Sequence, residues 1–267
     1  MTSRPARTRP SCHRLAPHAL ARPWLAAIAL TSVLGLSACA LPERTPAGEA
    51  SVPAAAAWAE VGLPGKRATR YRFVASHDGR PAVAALSEGS ASMLRRRLRV
   101  EPADLGSIRF DWWVPSLIPS ADLRDRDAAD SPVRVVLAFD GDHARLSPRN
   151  RMMFELAQTL TGEAPPYATL MYVWDNAAPL ESVIPGGRSD RIRKIVVDAG
   201  PTGLREWRRH ERDIARDFER AFGEPPGPLI GVALMTDSDN TVSRAAAYYG
   251  SIELLGRGGT ATRRLLD

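Results

Sequence analysis

Hydrophobic and polar residues alternate with a period of two over most of this chain. The clearest run is Ile108–Val114, where Ile108, Phe110, Trp112 and Val114 share one face and Arg109, Asp111 and Trp113 the other. The same signature predicts strands over Arg70–Ser76, Ala82–Leu86, Ser90–Val100, Val133–Phe139, Leu170–Trp174 and Ile192–Val197. Two more follow, one from Leu229 to Met235 and its return from Ala245 to Leu254. Between them the stretch Thr236-Asp237-Ser238-Asp239-Asn240-Thr241 concentrates short oxygen-bearing side chains in a hairpin loop. His77-Asp78-Gly79-Arg80 reads as a tight hairpin turn, because Gly after Asp tolerates the positive φ such turns need.

The period changes to 3.6 twice. Asn150–Leu160 places Met153, Leu156 and Leu160 on one helical face. Leu204–Phe222 places Trp207, Ile214, Phe218 and Phe222 on another, ended by Gly223, Pro225 and Pro226. Nine short strands and two helices predict a mainly β fold, an antiparallel β-sandwich with two inserted α-helices. A parallel sheet would need a helix after most strands.

The first 57 residues follow neither pattern. A basic segment, an uncharged apolar run from Trp24 to Leu36 and then Leu36-Ser37-Ala38-Cys39 resemble a bacterial lipoprotein signal peptide, residues 1–38, with Cys39 the lipidated residue. Ala40 after it, rather than Asp, points to the outer membrane by resemblance to Gram-negative sorting, with the protein facing the periplasm. Residues 39–57, rich in Ala and Pro, read as a flexible tether. Trp58 marks the entry to a single folded domain over 58–267.

This division changes what the charge means. The formal net charge is +6, but residues 1–38 hold five arginines and no acid. Removing them leaves 31 basic residues against 30 acidic, so the basic character belongs to the leader and nucleic acid is not an expected partner. The two cysteines are Cys12 and Cys39, so the domain itself has neither a disulfide nor a cysteine metal site.

Candidate chemistry is sparse. Asp237, Asp239 and Asn240 are candidate ligands for a hard cation such as a structural calcium, though the glycine and glutamate of an EF-hand loop are missing. The alternative is that these side chains bond the local backbone and shape the hairpin. Trp113, with Tyr172 or Trp174 nearby, is a candidate stacking platform for a sugar ring; the alternative is a second apolar layer. Arg95–Arg99 is read as a charged sheet edge. No phosphate-binding glycine loop and no Gly-x-Ser-x-Gly elbow occurs, so no catalytic residue is assigned.

Several stretches together resemble a known family. Arg109-Phe110-Asp111-Trp112-Trp113-Val114-Pro115, Thr169–Trp174, the helix ending Phe222-Gly223-Glu224, and Met235–Thr241 followed by Tyr249-Gly250-Ser251-Ile252 are similar to a bacterial domain of unknown function, number 3047. The resemblance spans roughly Arg70 to Leu255 and implies a jelly-roll, galactose-binding-like module, a kind that often holds glycans or calcium. The expectation is a non-catalytic module on an outer-membrane lipoprotein, binding a glycan or envelope component. The alternatives are a carbohydrate-active hydrolase using Asp237 or Asp239, or a scaffold for an envelope protein complex.

Overall fold

The computed structural model describes residues 57–187, 189–259 and 262–266. The leader, Cys39 and the tether lie outside them. The described chain is a β-sandwich of the jelly-roll kind with two helices. In chain order the strands are β1 (Ala59–Gly62), β2 (Arg70–His77), β3 (Arg80–Glu88), β4 (Ala91–Val100), β5 (Leu105–Trp113), β6 (Ser131–Phe139), β7 (Ala168–Asp175), β8 (Val183–Pro185), β9 (Ile192–Ala199), β10 (Arg208–Asp213), β11 (Leu229–Asp237), β12 (Arg244–Gly256) and β13 (Thr262–Leu266). Helix α1 (Pro148–Thr161) lies between β6 and β7, and α2 (Ile214–Phe222) between β10 and β11.

One sheet runs β1-β4-β11-β6-β7-β9-β8; the other runs β10-β5-β12-β3-β2, with β13 also pairing β12. All pairings are antiparallel except β7 with β9. The excursion through β8 makes this possible, since it lets the chain re-enter β9 in the direction of β7.

The inner faces meet in the main core. Phe110, Trp112, Val135, Leu137, Phe139, Tyr172, Trp174 and Tyr249 are fully buried there. Trp58 is buried in the same core, its Nε1 donating to the Leu265 carbonyl at 3.1 Å. The Asp78-Gly79 turn forms with both residues at positive φ, 46° and 78°, and returns β2 into β3.

The second helix is shorter than its periodicity predicts. Helix begins at Ile214, with Asp213 as its N-cap accepting the Arg216 N–H at 3.0 Å. The preceding six residues are β10, paired to β5. Their charges alternate: Arg208, His210 and Arg212 turn inward onto Asp198 and Asp217, while Arg209 and Glu211 turn outward onto Asp111 and Arg109. Period-two ion pairing with a neighbouring strand overrode the 3.6 pattern carried by Trp207. Helix α1 forms close to where it is predicted, but the face carrying Met153, Leu156 and Leu160 points to solvent. Of the Arg95–Arg99 run only Arg95 is paired to β1; among the described residues the rest of the run is paired on the β11 side alone. Arg95 and Arg97 bind Glu163, and Arg99 binds Glu101 and Asp140.

A trough on the outer face of the seven-stranded sheet

The outer face of a sandwich sheet normally carries polar residues toward water. Here most of the outward side chains of the central strands are apolar. Across five strands in register they form a rung Arg95–Ala233–Val136–Met171–Lys194. A neighbouring rung carries Met93, Met235 and Arg134, and another Gly231, Ala138, Thr169 and Ile192. Ala91, Val136, Ala233 and Met235 form a small buried cluster there, separate from the main core.

This face is not open. The connection from β5 to β6 folds over one side, where Leu123 packs with Val173, Ala178, Ile184 and Val196. Gly187, next to β8, comes so close to Arg126 that a Cβ on it would lie 3.0 Å from that side chain. Leu63, after β1, stands on the opposite side. Between these walls runs a trough of about 380 Å³, within the range of about 300–1,000 Å³ usual for small-ligand pockets. Among the described residues its lining contains no aromatic ring.

One end is closed by the polar hairpin. Asp237, fully buried, accepts from Arg134 Nε at 2.9 Å and Nη2 at 2.8 Å, and from the Ser131 N–H at 3.1 Å. Burial pushes its carboxyl up to about 6 against the opposing pull of Arg134. Asp239 is held by Lys66. Asn240 donates its side-chain amide to the Arg126 carbonyl at 3.1 Å. Asp130, from the covering loop, accepts the N–H groups of Asn240 and Thr241 and the Thr241 hydroxyl. The hairpin is thus fastened to the covering loop by its own side chains.

Oxygens of Asp130, Asp237 and Asp239 lie within 4.8 Å of one another. The donor set does not fit calcium well. That ion takes six to eight oxygens, whereas here a guanidinium, an ammonium, three backbone N–H groups and a hydroxyl already occupy the carboxylates. Asn240 contributes its amide nitrogen to a carbonyl and does not join the acidic group.

Lys194 sits on the trough floor at the far side of the first rung. It is 5% exposed. Its Nζ donates to the Leu123 carbonyl at 3.1 Å, and among the described residues no carboxylate lies within ion-pair distance. Burial, reinforced by the nearby Arg134 charge, pushes its pKa down to about 8 against the opposing pull of Asp237, Asp175 and Asp122. An ammonium held out of water with no carboxylate in direct contact is costly. The arrangement suits an incoming anion, with the apolar rungs to receive whatever is attached to it.

The three aromatic candidates are scattered. Tyr172 and Trp174 are fully buried between the sheets, donating to Asp217 and to the Gly200 carbonyl, so neither offers a ring to a ligand. Their strand has apolar residues on both faces, which hides from sequence which face looks outward. Trp113 lies on the outer face of the other sheet, in contact with His77 at 4.4 Å and Tyr248 at 5.5 Å between centroids. It is therefore on a different sheet from the Asp237 hairpin. The ring nitrogens Trp113 Nε1, Trp207 Nε1 and His77 Nε2 are buried without a hydrogen-bond partner.

Sequence reasoning missed Lys194, Arg134 and Asp130. One signal was present for the first. The chain contains two lysines, Lys66 and Lys194, among 36 basic residues, and both line the trough. Lysine, unlike arginine, can give up its proton when buried, which makes its rarity and placement informative.

A family model described as "Protein of unknown function (DUF3047)" matches residues 56–253. No curated protein matches. Among solved structures, the chain is similar to the family 11 carbohydrate-binding module of the cellulosomal cellulase Lic26A-Cel5E of Clostridium thermocellum, with 10% identity and a TM-score of 0.34, over 74% of this chain and 87% of that one. It is also similar to the glycoside hydrolase domain of Endo-D from Streptococcus pneumoniae R6, with 10% identity and a TM-score of 0.30, over 73% of this chain and 20% of that one. At that level of similarity neither neighbour says what this chain binds.

Proposed function

Because the chain belongs to the DUF3047 family of unknown function, its role is read from the trough, and we propose that it is a lipid-anchored envelope protein whose β-sandwich binds an amphipathic anion. In this reading Cys39 carries the anchor to the outer membrane, with the domain facing the periplasm. The ligand is an envelope component with an apolar body and a carboxylate or phosphate head. The observation that carries the proposal is Lys194, a buried ammonium on the trough floor with, among the described residues, no carboxylate in direct contact. An anionic head there would supply the missing counter-charge, and the methionine and alanine rungs would take the apolar part. Methionine adapts its shape readily and recurs in sites that accept varied apolar ligands. No step of bond making is assigned. Asp237 and Asp239 are each engaged by a cation, which suits fastening the hairpin better than the hydrolase alternative.

The test uses palmitate and lysophosphatidic acid as probes, titrated into the full chain by calorimetry. Binding is expected, weakened at least about tenfold by Lys194→Met, which corresponds to losing about 1.4 kcal/mol. Ala233→Trp, which fills the middle of the first rung, should abolish it. Binding that ignores both substitutions, or no binding at all, overturns the proposal.

A second reading, a glycan on the opposite sheet, is favoured by the three unpaired ring nitrogens around Trp113. Glycan-array binding lost on Trp113→Ala would support it.

A further inference from the structure

Helix α1 departs from what a surface helix of a stable domain normally shows. Phe154 packs against the core, but the other large apolar side chains are exposed: Met152 is 62% exposed, Leu156 52%, Leu160 65% and Met153 37%. Of its fourteen residues only Asn150 is buried. That side chain ties the start of the helix to Asp190 and Ser189 beside β9. The charges are also reversed relative to the helix dipole. Arg149 and Arg151 lie in the first turn, which holds no acid, and the last turn holds no base. Arginines at that end oppose the dipole. Arg151 also returns to the domain, its Nη2 donating to the Ala144 and Leu146 carbonyls, but the exposed stripe does not help the domain fold and so points to something outside it.

We infer that α1 is a bilayer-contacting surface that lies on anionic phospholipid, and that it forms the mouth of the trough. A helix lying in the membrane interface would set this apolar stripe in the acyl region and Arg149 and Arg151 at the phosphates. At fourteen residues α1 is too short to span, and no helix among the described residues is long and apolar enough to cross a membrane. Position supports the contact independently. A second cavity, of about 860 Å³, is walled by Ala157 and Leu160 of α1 on one side and by Glu60 and Val61 of β1 on the other. It shares Leu63, Met93, Arg95 and Pro166 with the trough, so the two adjoin. The chain enters the domain through β1. Ala59 pairs with Arg95, which grips Glu163 just beyond the end of α1. The helix and the point where the chain enters therefore flank one opening. An amphiphile leaving the bilayer at α1 could reach Lys194 without crossing water. That last step rests on the trough reading; the membrane contact of α1 does not.

The experiment places an environment-sensitive fluorescent amino acid at position 156 of the full chain, with position 72 on the opposite sheet as control. The protein is reconstituted in vesicles of phosphatidylethanolamine and phosphatidylglycerol. The expected result is a blue shift at position 156, quenched by spin-labelled lipid, with none at position 72. Replacing phosphatidylglycerol by phosphatidylcholine, or introducing R149E with R151E, should reduce the shift several-fold. The inference is overturned if position 156 stays in water on both vesicle types. It is equally overturned if that position is already shielded without vesicles, which would mean that the tether or a second copy covers the stripe. The palmitate titration is run in parallel. Loss of that binding with the position 156 shift intact would sink the trough reading alone.

Discussion

Replacing Lys194 by methionine should make the unliganded protein more stable. The ammonium is 5% exposed and has a single carbonyl partner. Its pKa falls from 10.5 to about 8, and at 1.36 kcal/mol per unit the buried charge costs the fold about 3 kcal/mol. The substitution also leaves the Leu123 carbonyl without its donor, which costs roughly 1–2 kcal/mol. A methionine chain on Met171 and Val136 adds packing in the same direction as the removed charge. The net expectation is a gain of about 1–2 kcal/mol at pH 7, the charge outweighing the lost hydrogen bond.

The pH dependence gives the sign check. The folded pKa lies below the unfolded one, so between about 8 and 10.5 the unfolded chain binds more protons at this site. Stability therefore rises with pH across that window in the native protein, and Lys194→Met should remove this site's contribution to the rise. Urea unfolding of both proteins at several pH values measures this directly. A variant less stable at pH 7, or a native protein whose urea midpoint shows no Lys194-dependent rise between pH 8 and 10.5, would refute the reasoning. The same physics links to binding. An anion at Lys194 raises its pKa, so affinity should fall as pH climbs past about 8. At one saturating ligand concentration the native protein should gain at least about 1.4 kcal/mol more stability than the variant.

Other expectations follow from the same contacts. Arg134→Ala leaves the buried Asp237 carboxylate without its guanidinium and should cost about 3–5 kcal/mol in urea unfolding; near-neutral behaviour would mean that the pair does not hold the hairpin. Melting temperature should be the same in millimolar calcium and in excess chelator, because cations and N–H groups already meet the three acidic side chains; a calcium-dependent rise would reinstate an ion there. Incorporation of a radiolabelled lipid precursor should be lost on Cys39→Ala, and persistence of the label would remove the anchor.

The mainly β architecture was legible because it rests on a local signal. Alternation over Ile108–Val114 put Phe110 and Trp112 inward and Trp113 outward, as the sandwich has them. The turn at Asp78-Gly79 was legible for the same reason, since both residues take the positive φ that the motif requires. Where two local signals competed, as over Arg208–Asp213, sequence chose the wrong period. The deciding partners, Asp111 and Asp198, are at least ten residues away in the chain. The polar hairpin was recognised as polar, but not as fastened, because Asp130 and Arg134 approach it from more than 100 residues upstream.

Sequence by itself determined nine of the thirteen strands among the described residues, which face of the clearest one is buried, and that the acidic hairpin ends a buried strand. Only the tertiary structure decided strand order, and with it that Arg95, Ala233, Val136, Met171 and Lys194 stand side by side. The reason is that side-chain alternation belongs to one strand, whereas a binding surface belongs to several. A strand buried on both faces reads as a plain apolar run, and its text does not say whether the second face meets more protein or an open trough.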